Sequence, residues 1–174
     1  MIISKPKKGE YADYAIKYLD YLPDDINLVD HLIQNLKDII ELYVSIPNDK
    51  YLYSYAENKW TSKEVLLHII DTERVFAYRA LAYARGDKAI LPGFHENVYA
   101  ENSNANNRTA TDLLDELKTV RLATISLFQS FSFEQFEIIG KTSESNFSVS
   151  AAAFLILGHS IHHMHILKEK YLSK

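Results

Sequence analysis

Helix breakers are scarce in this chain, with five glycines and four prolines among 174 residues. An all-β protein needs many tight turns, and tight turns draw on these two residue types. Their scarcity favours long uninterrupted helices, and hydrophobic periodicity places four. A tyrosine-rich lead-in (Tyr11, Tyr14, Tyr18, Tyr21) precedes Pro23-Asp24-Asp25, which reads as a helix start. Leu28, Leu32, Ile33, Leu36, Ile39, Ile40 and Tyr43 then follow at helical spacing as far as Pro47-Asn48-Asp49. Thr61 and Glu64 have capping-box spacing, so a second helix opens there and runs to about Arg85, with Gly86 as its left-handed stop. A long connection from Asp87 to Arg108 contains Leu91-Pro92-Gly93-Phe94, and connections of this length are commonly functional or disordered. The third helix begins near Thr109 or Thr111 and carries Leu113, Leu114, Leu117, Val120, Arg121, Thr124, Leu127 and Phe128 at i, i+3, i+4 spacing. Ser132 and Gly140 bracket a short, partly helical connection, and the fourth helix runs from about Ser148 to about Tyr171. The fold class is therefore all-α, most simply a four-helix bundle, with 1–174 forming one domain and 1–22 its N-terminal lead-in.

Composition excludes several functions. The net charge is −4 and the basic residues are scattered apart from Lys5, Lys7 and Lys8. A phosphate-binding surface needs clustered Lys and Arg, so nucleic acid is not an expected partner. With no cysteine, the chain has no disulfide, no Cys-based zinc site and no thiol nucleophile of its own. No apolar run approaches the roughly 20 residues that span a bilayer, and no signal-peptide core is visible near Met1. These features predict a cytoplasmic protein without membrane partners.

Histidines carry the chemistry. Four of the seven lie at His159, His162, His163 and His165. Residues four apart on a helix sit within about 40° of each other and roughly 6 Å along the axis, so His159 and His163 can aim at one point. His162 lies about 60° to the other side and is either an alternative ligand or a neighbouring residue. A metal site needs a further ligand, and His68 sits mid-helix in the apolar run Val65-Leu66-Leu67-His68-Ile69-Ile70, where an uncompensated imidazole is costly. A lone histidine in such a setting is more often a hydrogen-bonded core residue, but together the three describe a complete facial site. Other metal motifs fail on spacing. A zincin needs His-Glu-x-x-His, and Ser160 follows His159. A di-iron bundle needs Glu-x-x-His on two helices, whereas Ile156 and Ser160 occupy the positions three before His159 and His163.

Lys59-Trp60-Thr61-Ser62-Lys63-Glu64, His68-Ile69-Ile70-Asp71-Thr72-Glu73-Arg74 and Arg79-Ala80-Leu81 resemble the DinB-like family, specifically its YfiT-like branch. So do Ala84-Arg85-Gly86-Asp87, Leu91-Pro92-Gly93-Phe94, Val120-Arg121 and Gly158-His159 through His163. The matches run in order along nearly the whole chain. The resemblance implies an up-down-down-up four-helix bundle holding one divalent metal ion, zinc or nickel, with water completing the shell. Carried over position by position, its ligands are His68, His159 and His163, with His162 a bystander. It also implies that a homodimer is common, and that relatives include transferases using low-molecular-weight thiols such as bacillithiol or mycothiol.

Three imidazoles with an open position suit catalysis better than structure, because structural zinc sites are normally closed by four protein ligands. The leading reading is a metal-dependent enzyme acting on a small molecule, either a thiol S-transferase or a hydrolase. The alternative is a non-catalytic metal-binding protein, or one induced by stress or DNA damage without touching DNA. Catalytic residues are not legible, since no general acid or base stands near the histidines in sequence. Asp71 is a candidate to orient a ligand histidine, and Arg79, on the His68 stripe with Thr72 and Val75, either binds an anionic group or pairs with a carboxylate. Arg121 carries the same two readings. Pro92-Gly93-Phe94 is a candidate pocket rim, and Trp60 reads as a core plug beside a helix start.

Overall fold

The computed structural model describes residues 1–173, from β1 (Ile2–Ser4) through α1 (Ile16–Leu19), β2 (Asp25–Asn27), α2 (Leu28–Ser45) and α3 (Ser62–Ala84) to β3 (Ile90–Leu91). There follow α4 (Glu96–Glu101), α5 (Ala110–Gln129), α6 (Phe133–Phe136), β4 (Ile139–Thr142), β5 (Asn146–Ser148) and α7 (Val149–Ile166), which continues as a wider π-helical segment over Leu167–Leu172. The four long helices α2, α3, α5 and α7 form the bundle. Hydrogen bonds between their ends fix the directions. Lys63 at the start of α3 donates to the Arg108 carbonyl just before α5 (2.6 Å), and Arg85 after α3 reaches Ser130 after α5 (3.4 Å), so α3 and α5 are parallel. The Tyr43 hydroxyl at the end of α2 donates to the Ser62 carbonyl (3.0 Å), and the Tyr171 hydroxyl beyond α7 donates to the Trp60 carbonyl (2.6 Å). Both α2 and α7 thus run against α3, which makes the bundle up-down-down-up. Helix α2 packs against α5 and α7, and α3 packs against the same two helices.

The core is two apolar clusters separated by a buried polar layer. One cluster joins Leu28 and Leu32 of α2, Ala80 and Tyr83 of α3, Ile125 and Phe128 of α5, and Val149 with residues 151–157 of α7. The other joins Ile39 and Tyr43, Val65, Leu66, Leu67, Ile69 and Ile70, Leu113 and Leu117, and Met164 with Leu167. Between them each helix contributes one polar residue: Asn35, Glu73, Arg121 and Ser160. The Arg121 guanidinium is fully buried and forks onto Glu73 through Nε–Oε1 (2.9 Å) and Nη2–Oε2 (2.9 Å). Its Nη1 donates to the Leu32 carbonyl (2.8 Å) and to Asn35 Oδ1 (2.9 Å), which also accepts from Ser160 Oγ (2.9 Å). Of the two sequence readings for Arg121, the structural ion pair is the one observed.

Several local expectations need correction. Asp25, read as part of a helix start, lies in β2, whose antiparallel pairing with β1 (Ile3 opposite Ile26) delays α2 to Leu28. The connection between α3 and α5 is structured rather than open. It holds β3 and α4, and β3 pairs with β4, itself paired with β5 in a three-stranded sheet. These strands are too short for a period-two pattern to register. The capping box at Thr61 and Glu64 is present in both directions, and Gly86 adopts φ +86°, as the sequence predicts. The lead-in packs on α7 through α1, where a Cβ at Gly158 would overlap the Tyr18 carbonyl oxygen. Removing one partner of the buried pair leaves a charge without compensation, so Glu73→Gln is expected to lose about 3–5 kcal/mol of stability in urea denaturation. The double replacement Glu73→Leu with Arg121→Met is expected to lose clearly less than Glu73→Gln alone.

Candidate metal centre

The capping box sets where α3 begins: the Glu64 amide donates to Thr61 Oγ1 (3.2 Å) and the Thr61 amide donates to Glu64 Oε2 (2.7 Å). His68 follows in the second turn, on the face turned towards α7. There His159 and His163 sit one turn apart, and the antiparallel α3–α7 packing brings all three rings together. His68 Nε2 lies 2.9 Å from His159 Nε2, and His163 Nε2 lies 3.1 Å from the same atom. Ring centroids are 4.5–4.8 Å apart. One nitrogen from each residue falls within 4.8 Å of the other two, and all three residues are at most 9% exposed.

Burial decides the charge state of these rings. Desolvation pushes the His68 pKa down to about 4, with the Glu96 carboxylate opposing it. Desolvation also holds His159 and His163 well below the usual imidazole range, reinforced by the neighbouring histidines. Neutral imidazole is the form that ligates a metal. Neutral rings alone leave this cluster frustrated. His159 Nε2 is close to two other Nε2 atoms, yet a neutral imidazole nitrogen either donates one hydrogen or offers one lone pair. One of the two contacts is therefore poorly satisfied, and the buried Nδ1 of His163 has no partner among the described residues. A tetrahedral ion with bonds of about 2.0–2.1 Å would set its nitrogens roughly 3.3 Å apart, close to the spacing found. The donor set and its spacing fit one divalent ion.

The histidines form part of the wall of an open cleft of about 460 Å³. Trp60, Tyr14, Tyr18, Phe76 and Phe94 supply aromatic surface there, and Arg79, Glu96 and Glu144 supply charge. Trp60 is more than a core plug, because its ring packs 4.6 Å from that of His68 while lining the cleft. The rim expected from Pro92-Gly93-Phe94 is present: Gly93 and Phe94 line the cleft, and the Pro92 carbonyl accepts from Arg79 Nη2 (2.8 Å). Arg79 has no carboxylate within salt-bridge distance among the described residues, so its pairing alternative does not hold. Asp71 makes no contact with the histidine cluster that would orient it. Its carboxylate pairs with Arg74 (3.4 Å) and makes no hydrogen bond to a histidine. His162 turns away from the cluster, with Nδ1 3.2 Å from the Tyr21 hydroxyl, and His165 packs edge-on against the same tyrosine. Glu96 and Glu144 were not picked out in sequence. For Glu96 the only signal is its place in a connection of suspicious length.

Comparison with known proteins agrees with this geometry. A sequence model of the DinB superfamily matches residues 31–167. The fold is similar to that of YfiT from Bacillus subtilis, described as a probable metal-dependent hydrolase with an unusual four-helix bundle topology. The TM-score is 0.70 at 16% identity, covering 95% of this chain and 90% of that one. It is also similar to a DinB-like protein, YjoA, from Bacillus subtilis, with a TM-score of 0.58 at 22% identity over 82% of this chain and 87% of that one. No curated protein sequence is significantly similar. The match over most of its length, together with the four-helix bundle, identifies the chain as a member of the DinB superfamily.

Proposed function

We propose that this chain is a metal-dependent enzyme acting on a small molecule, with one divalent ion, zinc or nickel, held by His68, His159 and His163. The observation that carries this reading is the convergence of three buried Nε2 atoms on a cleft with no fourth ligand residue in the cluster among the described residues. A closed structural site would supply that fourth ligand from the protein. Bound there, a divalent ion supplies Lewis acidity to a coordinated water or thiol. The chain's own residues divide the remaining work. The three histidines stay neutral and keep their lone pairs available. Trp60 and Tyr18 pack against His68 and His159 at 4.6 and 5.5 Å between ring centroids. Glu96 lines the same cleft, close enough to influence His68 electrostatically, and takes the proton released by the nucleophile.

Two reaction classes fit that arrangement. Hydrolysis has the support of the description given to YfiT. Transfer of a low-molecular-weight thiol has the support of a chain without cysteine, in which a thiolate must come from a cosubstrate. Purified protein loaded with zinc or nickel is to be assayed against ester and amide substrates and against electrophiles with bacillithiol. Turnover is expected in one class only, abolished by a chelator and by His159→Ala. Glu96→Gln is expected to lower kcat about 100-fold with metal content unchanged. A metal-loaded protein inert towards both classes would overturn the enzymatic reading.

Acid sensitivity follows from the same burial. The folded-state pKa of His68 lies below its unfolded value of about 6.5, so the stability it contributes is complete above that pH and is lost as pH falls towards about 4. Metal-free protein is expected to lose Tm steadily from about pH 7 to about pH 5, with His68 contributing up to about 3 kcal/mol across the full range to pH 4. Metal-free His68→Ala is expected to show a shallower decline, and equal slopes in the two proteins would contradict this assignment.

A further inference from the structure

Among the described residues Arg79 is the one Lys or Arg lining the cleft, and its surroundings leave it under-used. It is 7% exposed, and its only hydrogen bond among the described residues is from Nη2 to the Pro92 carbonyl. A guanidinium carries five N–H donors in a planar fork, so several here have no protein acceptor. None of its nitrogens is among the buried atoms sealed off without a partner, and Arg79 lines the cleft. Phe76 and Phe147, whose rings pack 5.5 Å from each other, lie together on one side of the guanidinium at 5.6 and 5.3 Å. Burial lowers its pKa, and the neighbouring Glu144 only partly offsets this from beyond salt-bridge distance. A buried cation in this position is costly unless an anion completes it. His68, Thr72 and Arg79 follow one stripe of α3 and line the same open cleft as the rest of the histidine cluster.

We propose that Arg79 is the anion subsite of this cleft, taking the carboxylate of a small molecule whose apolar, flat body lies on Phe76 and Phe94 and whose other end reaches the histidine cluster. The proposal rests on the reading of that cluster as the reactive centre. A carboxylate fits better than a phosphate dianion, because the cleft sets one guanidinium against the two carboxylates of Glu96 and Glu144. The planar fork also matches a carboxylate bidentately, which a lysine would not.

The test is calorimetric titration of benzoate, with inorganic phosphate as the comparison anion, into both metal-free and zinc-loaded protein. Wild type is expected to bind benzoate saturably at millimolar concentration in both forms, and phosphate more weakly. Arg79→Met is expected to weaken benzoate at least tenfold while leaving zinc content unchanged. Arg79→Lys is expected to weaken it several-fold and carries the test if Arg79→Met does not fold. Glu144→Gln is expected to retain or tighten binding. Phosphate binding more tightly than benzoate would overturn the choice of a carboxylate. Absence of saturable benzoate binding, or binding confined to the zinc-loaded form and indifferent to Arg79, would overturn the subsite. Arg79-dependent benzoate binding by a protein that takes up no zinc would instead sink the metal reading and leave the subsite standing.

Discussion

The buried fork between Arg121 and Glu73 is the contact on which the rest of this bundle depends. Apolar side chains slide past one another at modest cost, whereas a fully buried guanidinium needs its charge paired and each of its nitrogens hydrogen-bonded. Asn35 and the Leu32 carbonyl of α2 complete that arrangement, and Ser160 of α7 closes it onto the fourth helix. Glu73 lies five residues after His68, and Ser160 immediately follows His159. The layer that registers the four helices therefore also sets the height at which α3 and α7 present their histidines.

With the register fixed, burial does the chemical preparation. Desolvation that would be a liability for charged imidazoles keeps these three neutral, and it leaves their nitrogens crowded without enough hydrogens or lone pairs of the right kind. The surrounding cleft divides its labour by position. Aromatic rings pack against the histidines, Glu96 stands in the same wall, and Arg79 offers unused donors along the α3 stripe. Neither Glu96 nor Arg79 enters the cluster, so the open side faces the cleft.

Sequence made the long elements and the histidine cluster legible because both obey helical spacing. The capping box announces α3, and the four-residue step from His159 to His163 places two imidazoles on one face. The isolated apolar setting of His68 marks it as the third. Spacing alone left His162 open, and what sets it aside in the fold is a contact with Tyr21 from the lead-in, 141 residues away in sequence. Such long-range pairings carry no local signal. The same holds for Arg121 with Glu73, for the strands that delay α2, and for Glu96 reaching the cleft from α4. Asp71 went the other way. Its one-turn spacing from His68 suggested an orienting role, but three residues is about 60° short of a full turn, and Arg74 holds its carboxylate elsewhere.

The central claim is that the three histidines share one ion, and metal content tests it most directly. Untagged protein, reconstituted with zinc and with nickel and then dialysed, is to be compared by elemental analysis with His68→Ala, His159→Ala, His163→Ala and His162→Ala. The account predicts one ion per chain in wild type and in His162→Ala, and loss of that ion in each of the other three. Little metal in wild type after reconstitution, or full retention in His159→Ala, would contradict it and leave a bundle with three polar histidines in its core.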